Sequence, residues 1–145
     1  MNVRSVFFLA AITLGAAPLS ALAQDAGDPE QGKQLARKCI VCHQIGDSPA
    51  VKTGPILTGI IGRQAGTGEH YKPSNLSKAA GEAGLVWTEE LIAQYLPDPK
   101  GFIVKFLTEA GKADEAKGAY KMPISFKNAD ENQHIIAYLK SLSPN

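Results

Sequence analysis

Apolar and polar positions along the chain fall mostly into helical spacing, and strand-like alternation is nearly absent. The stretch GDPEQGKQLARKC opens with Asp28 as an N-cap, Pro29 at the first helical position and Gln31 at the third, a capping-box pattern. It predicts a short helix running into residue 39. Thr88 followed by two glutamates predicts a second helix, because carboxylates favour a helix's positive end, and Pro97 ends it. Asp98 and Pro99 start a third, on which Phe102, Ile103, Phe106, Leu107 and Ala110 share one face before Gly111. Asn128 with Glu131 caps a last helix, whose apolar stripe is Ile135, Ile136, Leu139 and Leu142 and which Ser143-Pro144 stops.

Residues 48–84 are rich in Gly, Pro, Ser and Thr. They read as a long ordered loop with one helical turn near 74–80. A loop that long in a small domain usually has a function or wraps something. The expected architecture is all-α, with four or five short helices and long loops. So few helices bury limited apolar surface, and such a domain often takes part of its core from a bound group.

The N-terminus follows a different pattern. Arg4, the uncharged run VFFLAAITLGAAPL and the small-x-small ALA at 21–23 make an export signal. The run is shorter than the roughly 20 residues that span a bilayer. Residues 1–23 are therefore expected to be a cleaved signal peptide, and residues 24–145 the folded domain. No other long apolar run follows, so membrane insertion is not expected. The chain has 15 Lys and Arg against 14 Asp and Glu, and Arg4 lies in the leader, so the domain is near neutral. That argues against nucleic-acid binding, which needs a basic surplus.

Candidate chemistry concentrates in RKCIVCHQIG, which holds both cysteines with His43 directly after the second. Export implies an oxidising compartment, but a bridge from Cys39 to Cys42 would close too small a loop to stabilise much. C-x-x-C-H is the attachment pattern of c-type haem. Two thiols at this spacing can each add across one vinyl group of the same porphyrin, and the next imidazole can then reach the iron. A structural zinc site would need four ligands, and neither His70 nor His134 completes a familiar spacing. A thioredoxin-like pair would follow a strand, whereas a capped helix precedes this one.

The sixth iron position decides function: an open one suggests gas binding or peroxide chemistry, a strong ligand suggests electron transfer. Past the leader the chain has one methionine, Met122, in the loop AYKMPIS. A thioether flanked by Lys121 and Pro123 has little packing role unless it turns inward to something. Met122 is the favoured ligand, with His70 and His134 as competitors. A haem peroxidase or gas-binding protein with an open or labile sixth position is the alternative reading.

With CIVCH, KTGP, GIIGRQAG, LVWTEELIAQYLPDP, KMP and IIAYLK in this order, the region from Gly27 to Leu142 resembles the class I c-type cytochromes. The resemblance is to the group of mitochondrial cytochrome c and of periplasmic cytochromes c2 from purple and related Gram-negative bacteria. It implies a fold whose terminal helices cross near Gly32 and whose loops enclose one haem c. It implies thioether bonds from Cys39 and Cys42 and axial ligation of the iron by His43 and Met122. The Pro55 carbonyl would receive the Nδ1 proton of His43. Arg63, Tyr71 and Trp87 match groups around a haem propionate, and Asn75 and Tyr95 match the polar network on the methionine side.

The resemblance also implies a monomeric, periplasmic one-electron carrier rather than an enzyme. Its partners would be membrane redox complexes, a bc1-type donor and an oxidase or reaction-centre acceptor, met by transient docking. Lys38, Lys52, Lys121 and Lys127 lie in segments expected around the exposed haem edge and could steer acidic partners. Some positions depart from the family pattern. Ile56 stands in place of a usual Asn, and Ala36 in place of an aromatic between the terminal helices. The segment 108–120 is longer than the minimal loop. Ile124 and Phe126 compete for the place of an aromatic over the haem edge.

Overall fold

The structure is a computed structural model and describes residues 27–46 and 52–143. The expected signal peptide, residues 1–23, lies outside the described residues. Five α-helices appear among the described residues: α1 (Pro29–Leu35), α2 (Asn75–Glu82), α3 (Glu89–Tyr95), α4 (Pro99–Glu109) and α5 (Ala129–Ser141). A 3-10 turn, Ala36–Lys38, extends α1 into Cys39. The turn expected near 74–80 is a two-turn helix, α2, which Ser74 caps by accepting from the amide of Ser77.

Short polar side chains set the helix starts. Thr88 accepts from the amide of Leu91, Asp98 from that of Gly101, and Asn128 from those of Asp130 and Glu131. Each satisfies donors that the first turn leaves unpaired. At α1 the N-cap half of the expected capping box forms, the Asp28 carboxylate accepting from the amides of Glu30 and Gln31, and only the reciprocal half differs. Gln31 donates its side-chain amide to the Asp28 carboxylate rather than receiving the backbone N–H of Asp28. That N–H instead donates to Nδ1 of His134 on α5, 2.8 Å away. The start of α1 is thus capped partly by the other end of the chain.

Helices α1 and α5 form the principal helix–helix packing. Their approach depends on Gly32, where a Cβ would lie 1.9 Å from the carbonyl oxygen of His134. Ala36, in the place of the expected aromatic, is buried.

Two apolar clusters make the core. The first joins Ile60, Ile92, Leu96, Phe126, Ile135, Ile136 and Leu139, bringing α3 and α5 together. The second joins Ala65, Leu76, Ala79, Ala80, Leu85, Ile103 and Leu107, bringing α2 and α4 together. On α4 the expected face is buried at Ile103 and Leu107 and half-buried at Phe102 and Phe106, while Ala110 is the C-cap and is exposed. Trp87 and Tyr95 pack against both clusters, with ring centroids 4.8 Å apart in an edge-on arrangement. A single antiparallel bridge, Gln64 to Val86, ties the long loop to the entry of α3.

Gly32→Ala should cost about 1–3 kcal/mol, because the extra methyl drives α1 off the α5 backbone; chemical denaturation of the purified protein reads this. Three hydrogen bonds, led by that from the Gln31 side chain, hold the Asp28 carboxyl below its ordinary value of 3.8. Its contribution to stability is therefore present above that value and lost as pH falls through the lower folded value. Asp28→Ala should flatten this part of the acid limb in a stability–pH profile.

Candidate haem site

Between the two clusters lies a cavity with about 1230 Å³ of space not filled by protein, its open mouth included. Cys39, Cys42, His43 and Met122 all line it, together with Pro55, Tyr71, Trp87 and Tyr95. Most of the remaining wall is aliphatic, from Leu57, Ile60, Ile92, Leu96, Ile103 and Leu139. The largely apolar lining suits a broad apolar group.

The imidazole of His43 is fixed on one side by Pro55, whose carbonyl oxygen lies 2.8 Å from Nδ1. A carbonyl only accepts, so Nδ1 carries the proton and the lone pair of Nε2 is left for a metal. Burial pushes this imidazole below its ordinary value, opposed by the Pro55 hydrogen bond and joined by the charge of Lys52. A neutral ring is the ligating form. Gly54 lies flat against it: a Cβ there would sit 2.5 Å from Cε1. The amide of Gly54 donates to the carbonyl of Cys42 at 2.7 Å, which binds this loop to the cysteine segment.

No disulfide joins Cys39 to Cys42. Burial pushes the Cys39 thiol above its ordinary value, with Lys38 opposing. A redox-exchange cysteine needs the reverse, a lowered value that favours thiolate. Cys39 does not have the electrostatics of a thiol–disulfide nucleophile.

On the far wall, Tyr95 donates its hydroxyl proton to Sδ of Met122 at 3.1 Å. Burial pushes the Tyr95 phenol well above its ordinary value, so the proton is retained. The competing histidines are elsewhere. His70 is exposed, and Nδ1 of His134 is engaged by Asp28; neither lines the cavity.

Other expected residues divide into two sets. Tyr71 and Trp87 line the cavity. Arg63 stands behind its wall and donates to the carbonyls of Ile56 and Thr58, bracing the loop after Pro55. Asn75 does not join the polar network on the methionine side. Because Ser74 is the N-cap, Asn75 falls on the first turn of α2 facing solvent, and Ser77 and Tyr120 line the cavity instead. Only their positions could have marked them: Ser77 three residues after a capping serine, Tyr120 two before the methionine.

Of the lysines, Lys38 and Lys121 line the cavity and Lys52 and Lys127 do not. Lys121 donates to the carbonyl of Lys72 at 2.8 Å, Lys52 to that of Ile40, and Lys38 lies 3.6 Å from the carboxylate of Glu131. Both candidates for the edge position line the cavity; Phe126 is buried in the first cluster at 8% exposure, while Ile124 is 44% exposed.

Two thiols at vinyl spacing, an oriented imidazole and a hydrogen-bonded thioether around one apolar cavity fit a covalently held haem. The family model of cytochrome c matches residues 29–143, and the chain belongs to the cytochrome c family, electron-transfer proteins carrying one covalently attached haem c. Within that family it is similar to the cytochromes c2. Cytochrome c2 iso-1 of Rhodospirillum centenum is 48% identical over 117 residues, covering 81% of this chain and 98% of that protein. A cytochrome c2 of Rhodopseudomonas palustris is 42% identical over 115 residues, covering 79% of this chain and 98% of that protein. The solved structure of cytochrome c2 from Rhodospirillum centenum superimposes with a TM-score of 0.78 at 48% identity, covering 81% of this chain and 100% of the other. That of ferricytochrome c2 from Rhodopseudomonas palustris gives 0.74 at 41% identity, covering 80% and 99%.

Gly54→Ala should push the His43 ring or its loop out of place. The expected result is lower haem incorporation and a fall in stability of about 1–3 kcal/mol, read from the haem-to-protein absorbance ratio and a melting curve.

Proposed function

We propose that this chain is a periplasmic one-electron shuttle in which Cys39 and Cys42 hold the haem and His43 and Met122 are its axial ligands. The observation that carries the reading is that these four side chains, spread over residues 39 to 122, line one cavity. When bound, the haem supplies a one-electron ferric/ferrous couple, and the protein sets its potential and access.

The chain's own residues prepare the site in four ways. Pro55 and Gly54 orient the imidazole so that ligation needs no reorganisation of the ring. Tyr95 turns the Met122 sulfur inward, which supports a filled sixth position over an open, peroxidase-like one. Tyr71 and Trp87 present an O–H and an N–H to a largely apolar site, where donors to a carboxylate count for more than in water. Arg63 braces the loop beside them and adds positive charge. Rigid ligation on both faces keeps the geometry similar in the two oxidation states.

The edge is also equipped for brief encounters. Ile40, Val41 and Ile124 are exposed apolar side chains in the cysteine and methionine segments. Lys38, Lys52, Lys121 and Lys127 lie in the same or flanking segments of the sequence and would steer acidic partners, a bc1-type donor and an oxidase or reaction-centre acceptor. Lys38 contributes least, since Glu131 partly offsets its charge. The export signal at 1–23 would deliver residues 24–145 to the periplasm as a soluble monomer.

Met122→Ala should convert the ferric haem from low-spin to high-spin, admit carbon monoxide rapidly to the ferrous form and lower the reduction potential; an unchanged spectrum would sink the ligand assignment. Electron-transfer rates with a membrane partner should fall as ionic strength rises. A flat salt dependence would remove the role of the lysines and leave the carrier function standing.

A further inference from the structure

The hydroxyls of Tyr120 and Tyr95 lie 2.8 Å apart, and that of Tyr95 lies 3.1 Å from Sδ of Met122. Proton counting fixes the direction of this chain. A thioether has no proton to give, so the sulfur can only accept. The hydroxyl of Tyr95 has one proton, and the bond to sulfur uses it. The bond between the two phenols must then be donated by Tyr120 to the oxygen of Tyr95.

We propose that Tyr120 is a positioning residue for the Met122 sulfur, acting through Tyr95. The inference rests on the reading of Met122 as a haem ligand. By filling an acceptor site on the Tyr95 oxygen, Tyr120 leaves the sulfur as the favoured target of the Tyr95 proton. It also polarises that O–H bond, since consecutive hydrogen bonds strengthen one another in a site of low dielectric. A stronger donor on the thioether withdraws electron density from it. A sulfur so engaged stabilises ferric iron less than ferrous, and hydrogen bonds to ligands are a recognised lever on potential.

The surroundings hold both rings to this task. Tyr95 is packed edge-on against Trp87, Phe102 and Tyr120, at centroid distances of 4.8, 5.8 and 6.3 Å. Ser77 also lines the cavity, its hydroxyl 2.9 Å from the capping hydroxyl of Ser74. Tyr120 precedes the methionine by two residues, so the segment that delivers the ligand also delivers the group that tunes it.

The test is a double-mutant cycle on the holoprotein, read as midpoint potential by spectroelectrochemical titration. Tyr→Phe removes each hydroxyl and keeps the packed ring. Tyr95→Phe should lower the potential, Tyr120→Phe should lower it by less, and the double variant should match Tyr95→Phe alone. No shift in Tyr120→Phe, or the same shift whether residue 95 is Tyr or Phe, overturns the inference. The sulfur-to-ferric-iron charge-transfer band separates the two levels of the argument. If the band is present in the wild type but Tyr120→Phe leaves the potential unchanged, the relay alone fails. If the wild type lacks the band, the Met122 assignment fails and takes the relay with it.

Discussion

The architecture depends on a central space that the chain cannot fill by itself. Short helices and long loops leave two apolar clusters, one around α3 and α5 and one around α2 and α4, with a cavity between them. Trp87 and Tyr95 pack against both clusters and bridge them. Covalent attachment of a planar apolar group supplies that missing layer and binds the two halves into one core. The cofactor is thus a structural element as well as the redox centre, which is why so small a domain tolerates so much loop.

The two sides of the cavity are built by different means. The cysteine side is local: α1 runs through a 3-10 turn into the attachment motif, and thiols and imidazole follow within five residues, Cys39 to His43. The methionine side is assembled from a distance. Its loop is anchored where the amide of Phe126 donates to the carbonyl of Leu96 and where buried Asn132 donates to the carbonyl of Phe126. An electron carrier gains from ligands that do not move between oxidation states. Both axial candidates accordingly have a second hydrogen-bonding partner, Pro55 for His43 and Tyr95 for Met122.

Much of this was legible in the residues. Capping residues gave the starts of α1, α3, α4 and α5, because the signal is a local one between a side chain and the next turn. The attachment motif named the cofactor for the same reason. What stayed hidden was set by tertiary contact. The Asp28 N–H, expected to be served by Gln31, is taken by a histidine over a hundred residues away. Asn75 matches by likeness of position, but Ser74 takes the N-cap and leaves Asn75 exposed on the first turn of α2. Tyr120 carries no motif of its own, and its importance emerges only when its hydroxyl is seen beside that of Tyr95.

The hydrogen bond from the start of α1 to His134 has a consequence for how the chain tolerates change. It closes a ring of 106 residues. For a loop already that long, added length alters the entropy of closure only logarithmically, at about 0.6 kcal/mol for each doubling. Segments between the clasped ends, such as the polar stretch from 112 to 120, can therefore lengthen or shrink with little thermodynamic consequence. A fold joined at its termini leaves its periphery free to diversify, so partner surfaces can be reshaped while the clasp and the redox centre stay as they are.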